Sequence, residues 1–152
     1  MATRAKPGTA TPVNPAGYSG TPLSSKLGLK SRQRVLALNA PAHFVSLVAG
    51  APADIEWVKG LAAFDVALVF VADRTALVRE LGRLVAKLPD AGMIWVAWPK
   101  KSSGVSTDLT ENIVRAMGLD GGLVDVKVCA IDVTWAGLKF VRRLGDRKKS
   151  GP

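Results

Sequence analysis

Two lysines, four hydroxyls and a glycine stand together in Trp98-Pro99-Lys100-Lys101-Ser102-Ser103-Gly104-Val105-Ser106-Thr107-Asp108. Ammonium and hydroxyl groups ahead of a helix N-terminus are the ingredients of an anion or phosphate site. The spacing of glycine and lysine is not that of a P-loop. The same residues also suit a solvated connection, in which Asp108 caps the helix itself. Asp108 and Glu111 have capping-box spacing, with Asp in place of Ser/Thr. Together with Asn112 they offer paired carboxylates for acid/base work, although capping alone accounts for them.

Elsewhere the chemistry is sparse. His43 is the one histidine, and its ordinary pKa near 6.5 suits a general base. No Ser or Cys stands with it in a nucleophile elbow. A structural place at a helix start is the plainer reading of His43. Asp73, at a strand end before a helix, reads as an N-cap or as acidic machinery. Cys129 lies among Val126, Val128 and Ile131 and reads as a small buried hydrophobe. Trp57, Trp95, Trp98 and Trp135 are candidates for stacking on a planar ligand. Trp95 and Trp98 must face opposite sides of a regular strand. Trp98 borders the lysine loop and is the better ligand candidate.

Composition narrows the classes. At 152 residues the chain has room for one domain, and 48% hydrophobic residues supply a core for it. One cysteine excludes a disulfide framework. With a single histidine beside it, a structural zinc site is not expected. No apolar run approaches the roughly 18 residues that span a bilayer. The start, MATRAKPGTATPVNPAG, lacks an apolar signal region, so a cytoplasmic location is expected. The net charge is +9, a balance that often marks anionic partners. Arg4 and Lys6 contribute +2 at one end. Arg142, Arg143, Arg147, Lys148 and Lys149, less Asp146, contribute +4 at the other. The body between them holds about +3, so the basicity belongs mainly to the ends.

Periodicity supplies the elements that must position these groups. Residues 1–17, rich in Ala, Thr, Pro and Gly, form an expected disordered tail, and 144–152 a second, basic one. Residues 18–143 form the domain. Thr21-Pro22 reads as a cap and first helical position for a short helix ending at Gly28. Strands are expected over 34–39, 54–58, 65–71 and 93–98, the middle ones apolar enough to be buried on both faces. A short helix fits 41–47. Leu77, Leu81, Leu84, Val85 and Leu88 recur on one face of a helix over 75–88. Pro89-Asp90-Ala91-Gly92 is a turn, and a helix runs from near Asp108 to Gly118. Strands 124–131 and 137–143 close as a hairpin around Trp135. Alternating strands and helices require an α/β fold. The expected form is a Rossmann-like three-layer sandwich: a mostly parallel sheet of about six strands, finished by an antiparallel hairpin at the sheet edge.

Two resemblances follow from these strings. Leu88-Pro89-Asp90-Ala91-Gly92-Met93-Ile94-Trp95-Val96 is similar to the turn into a strand of class I S-adenosylmethionine-dependent methyltransferases, whose second half shares the element order. GYSGTPLSSKLGLK (17–30), VLALNAP (35–41), DVALVFV (65–71), WVAWPKKSSGVSTDLTENIVR (95–115) and GLVDVKVCAIDVTWAGLKFVRR (122–143) together resemble a bacterial family, the domain of unknown function 3052. That resemblance implies a fold and no reaction. The methyltransferase resemblance implies a glycine-rich turn after the first strand, where the backbone closes on the cofactor. Here the loop is Asn39-Ala40-Pro41-Ala42-His43-Phe44, without a glycine, and Pro41 lacks an N–H. Ordinary methyl transfer is therefore not expected, and the sequence identifies no cofactor.

In an open α/β sheet, ligands sit beyond the carboxyl ends of the strands, where strand order reverses. For the order 2-1-3-4-6-5 that crevice lies between the first and third strands. Asn39 and His43 leave one, Asp73 the other, and Trp98, Lys100, Lys101, Ser102 and Ser103 follow the next. The expected function is a non-catalytic binding domain for a small anionic ligand or a protein partner at this edge. The alternatives are an enzyme of unassigned reaction in the same crevice and a nucleic-acid-associated protein acting through its tails.

Overall fold

The computed structural model describes residues 22–60 and 62–146. The expected tail 1–17, Thr21 and residues 147–152 lie outside them. In chain order the elements are α1 (Leu23–Lys26), β1 (Arg34–Leu38), α2 (Phe44–Leu47), β2 (Glu56–Val58), β3 (Val66–Phe70), α3 (Arg74–Lys87), β4 (Met93–Pro99), α4 (Glu111–Asp120), β5 (Leu123–Ala130) and β6 (Trp135–Arg142). Single 3-10 turns cover Lys101–Ser103 and Leu144–Asp146.

The six strands form one sheet in the order β2-β1-β3-β4-β6-β5. β1 pairs in parallel with β2 and β3, and β3 with β4. β6 is antiparallel to both β4 and β5. The β5–β6 hairpin closes the sheet at one edge as expected, with β5 outermost and running with β4 after two reversals. Fully buried β3 sits at the centre, as its unbroken apolar run requires.

Each face of the sheet carries its own core. α3 and α4 cover one, packing Leu77, Leu81, Leu84 and Val114 on Ile94, Val96, Trp98, Leu138 and Phe140. Each such leucine contributes about 1.5–3 kcal/mol by burial. α1 and α2 cover the other, with Leu27, Phe44 and Val48 on Val35, Leu68, Phe70, Trp95, Cys129 and Ile131. Trp95 and Trp98 thus face opposite cores, as strand alternation demands. Trp95 is fully buried, and its indole N–H donates to the Leu27 carbonyl at 2.9 Å, fixing the end of α1 to the sheet. Trp95→Phe is expected to cost about 1–3 kcal/mol, because the buried carbonyl loses its donor. Urea denaturation, with m unchanged, would check this.

Helix starts explain where loops attach. Asp73 caps α3 by accepting from the Ala76 N–H at 2.8 Å. The α4 start differs from the Asp108–Glu111 capping box. Thr110 is the cap, accepting from the Ile113 N–H, and Asp108 accepts from the Arg74 N–H at 2.9 Å. Asp108 is therefore drawn to the first turn of α3, and the shorter hydroxyl next to α4 takes over its cap. The helix expected over 41–47 shortens to α2, because the Pro41 carbonyl accepts from the Phe44 N–H in a turn. The short helix at 22 begins at Leu23, with Pro22 as its cap residue.

Candidate site at the carboxyl edge of the sheet

β1, β3, β4 and β5 all deliver their carboxyl ends to one edge, and the loops leaving them make the candidate site. Its firmest feature joins residues 89 apart: His43 Nε2 donates to Asp132 Oδ2 at 2.6 Å. Asp132 lies in the turn between β5 and β6 and is 8% exposed. Its other oxygen accepts from the Thr134 and Trp135 N–H groups, each at 2.8 Å. Burial pushes the Asp132 carboxyl up. The His43 hydrogen bond and the Trp135 and Thr134 N–H groups outweigh that and hold it below the ordinary carboxylate range. The carboxylate is thus fixed as an acceptor, and it orients an imidazole whose side chain is 54% exposed. An orienting acid behind an exposed histidine is the arrangement of a general base. The same exposed imidazole edge can also donate a hydrogen bond to a bound ligand.

An aromatic row places α2, and with it His43. Trp57 meets Phe44 at 6.1 Å, Phe44 meets Phe70 at 5.5 Å and Phe70 meets Trp135 at 5.1 Å, all edge to face. Each contact adds about 0.5–1.5 kcal/mol beyond burial. Asn39 takes φ +60° directly after β1, a left-handed turn that Asn tolerates, and is exposed.

The lysine loop lies on the other side of the β5–β6 turn. The Lys100 N–H donates to the Thr134 carbonyl at 2.7 Å, so one turn holds both His43 and Lys100. Ser103 is not available as a ligand group in this conformation: its hydroxyl donates to the Lys100 carbonyl and accepts from the Val105 N–H. Gly104 follows at φ +78°, which only glycine adopts without strain. Lys101 and Ser102 are exposed. Thr107 secures the far end, donating to the Ala72 carbonyl at 2.6 Å and accepting from the Leu109 N–H.

Trp98, Lys100 and Lys101 line one open groove of about 510 Å³ with Thr107, Asp108, Leu109, Thr110, Glu111 and Ala136. Two carboxylates therefore share the groove with the two ammonium groups. Glu111 is paired with Arg115 at 2.6 Å and Asp108 with the Arg74 N–H. Arg115 offsets the charge of Glu111, whereas Asp108, held by a neutral N–H, keeps its charge beside the lysines. Trp98 is 4% exposed and belongs mainly to the core. Asn39 and His43 are not part of this groove, and Asp73 is committed to its cap. A second concavity of about 570 Å³, apolar and lined by Phe44, Val48, Trp57 and Val58 among others, lies beside edge strand β2.

The sequence reading missed Asp132. Asp three residues before Trp135 signals an Asx-type turn, but no local pattern reveals its bond to His43. Cys129 is buried and its thiol is pushed up by burial, against Lys26, Lys127 and Lys100, which makes it inert as a nucleophile. Among the described residues no group of three or more His, Cys, Asp or Glu could hold a metal ion, and no helix is long and apolar enough to cross a membrane.

The loop after β1 does not fit the glycine-rich cradle of a nucleotide-type cofactor. Pro41 has no N–H, the Phe44 N–H is taken by Pro41, and α2 has four residues.

Comparison with known proteins returns this fold. No protein-family model matches the chain, that of the domain of unknown function 3052 included, and no curated protein matches it. Solved structures do. Magnesium protoporphyrin IX methyltransferase from Synechocystis PCC 6803, with bound SAH, matches with a TM-score of 0.53 at 10% identity, over 80% of this chain and 78% of that one. An O-methyltransferase family 2 protein from Planctomyces limnophilus, in complex with apigenin, gives 0.56 at 14%, over 86% of this chain and 54% of the other. Precorrin-6y C5,15-methyltransferase from Geobacter metallireducens gives 0.54 at 11%, over 80% and 86%. The chain spans about half the length of the second of these. The domain has the Rossmann-like α/β fold that these methyltransferases share.

Proposed function

We propose that this protein is a binding domain for a small anionic ligand, held at the carboxyl edge of a methyltransferase-type fold. The observation that carries it is the β5–β6 turn. Its Asp132 orients the exposed His43 imidazole and its Thr134 carbonyl anchors Lys100. One turn therefore fixes both the His43 imidazole and the backbone of the lysine loop, at the edge where open α/β sheets take ligands. The missing glycine cradle separates this reading from methyl transfer, because fold does not imply function.

The test is calorimetric titration with sugar phosphates, nucleotides and inorganic phosphate. At least one of them is expected to bind. The Lys100→Ala/Lys101→Ala variant is expected to bind it at least about tenfold more weakly, since a charge-assisted hydrogen bond is worth about 1.5–3 kcal/mol. Equal binding by the variant removes the site.

The His43–Asp132 pair also favours a second reading, an enzyme in which His43 takes a proton from a ligand bound at the same edge and Asp132 stabilises the imidazolium. The methyltransferase neighbours are consistent with it. It requires turnover that His43→Ala abolishes.

A further inference from the structure

Three more lysines gather on the side of β5 and β6 that faces α1. Lys127 and Lys139 are register partners on β5 and β6. Both stand on the face covered by α1: Lys127 Nζ donates to the Lys26 carbonyl at 3.3 Å, and Lys139 alternates with Leu138 and Phe140, which face the other core. Like charges directly opposite on neighbouring strands repel. Lys139 is only partly exposed. Burial, then Lys127, then Lys30, holds its ammonium below the ordinary lysine range. Among the described residues, Lys30, Lys127 and Lys139 enter no ion pair. Asp125 pairs with Arg115, while Asp54 accepts from the neutral Ser31 hydroxyl and keeps its charge. A partly buried cationic group is ordinarily compensated, and among the described residues Lys139 has no ion-pair partner.

We propose that Lys30, Lys127 and Lys139 seat the phosphodiester backbone of a nucleic-acid duplex beside edge strand β5. The compensating charge then comes from outside. Two features select this partner. The β5 edge is bulged between Asp125 and Lys127 and carries a lysine, which discourages an added peptide strand. The exposed apolar side chains around Lys127 are only Val126 and Val128, too small to anchor in a membrane and unable to stack on unpaired bases. The seat differs from the tail-borne reading because body lysines carry it, and it is independent of the anion site above.

The test is fluorescence anisotropy of a labelled DNA duplex of about 20 base pairs, titrated with the full chain between about 50 and 200 mM salt. Affinity is expected to fall steeply with salt. Lys30→Gln/Lys127→Gln/Lys139→Gln should weaken binding at least about tenfold and flatten the log–log salt slope by about 2 to 3, near 0.9 per lost phosphate contact. Lys127→Gln alone, at an exposed position and with an amide that can still donate to the Lys26 carbonyl, should remove about one unit of slope. The full-length Arg147→Gln/Lys148→Gln/Lys149→Gln chain should keep the response to the body substitutions. Triple-variant binding equal to the parent's, a salt-independent affinity, or tighter binding to polyglutamate or to phosphatidylserine vesicles would each overturn the proposal.

Discussion

Gly118→Ala is expected to destabilise the protein by about 3 kcal/mol, although alanine is the better helix former. A Cβ at this position would stand 2.1 Å from Cε1 and 2.4 Å from Cζ of Phe140. Real carbon atoms do not approach so closely. The ring cannot swing aside, because Phe140 is fully buried in the core between α4 and the sheet. Either α4 must lift off β6 or the ring must leave its rotamer. Both outweigh the gain of about 1 kcal/mol from replacing glycine in a helix. Guanidinium denaturation measures the effect. Gly118→Ala/Phe140→Leu should recover part of it by vacating the contested space. A neutral or stabilising Gly118→Ala would mean that α4 does not press on β6 as described.

Asp132→Ala is expected to cost a similar amount, about 3 kcal/mol, for a different reason. One carboxylate satisfies His43 Nε2 and the Thr134 and Trp135 N–H groups, and its loss orphans all three. Asp132→Asn keeps an acceptor for the two backbone donors and should cost less. The pH dependence separates the charge from the hydrogen bonds. The folded pKa of Asp132 lies below its unfolded value near 3.9. Its contribution is therefore fully present above the unfolded value and lost as pH falls through the folded one. The parent should show this acid-side loss below about pH 4, and Asp132→Asn should lack that component. Identical acid profiles would mean that Asp132 carries no special charge interaction.

Much of the architecture was legible because single segments carried it. β3 and β4 announce themselves as unbroken apolar runs, and α3 by leucines at three- and four-residue spacing. Strand–helix alternation with a closing hairpin gave the mostly parallel sheet, and the order supposed for locating the crevice, β2-β1-β3-β4-β6-β5, is the one observed. Legibility failed where two local signals competed or where contacts were distant. Asp108 and Thr110 both suit the start of α4, and only the Arg74 N–H, 34 residues away, decides between them. β2 is short because it is an edge strand with Trp57 half exposed, which a propensity pattern does not register. At the candidate edge, the lysine loop and His43 could be named from the sequence. That one turn holds both could not, because the His43–Asp132 and Lys100–Thr134 bonds join segments 89 and 34 residues apart. The apolar hollow beside β2 also escaped, since its walls come from three separate segments.

The most direct measurement is an amide and imidazole NMR titration of the protein with sugar phosphates, and separately with S-adenosylmethionine. An anion-binding edge predicts that a phosphate compound shifts His43, Lys100, Lys101 and the 132–135 turn together, in one saturating process, while S-adenosylmethionine leaves the 39–44 loop unmoved. Saturable S-adenosylmethionine shifts at 39–44 would contradict the account and make methyl transfer the leading function.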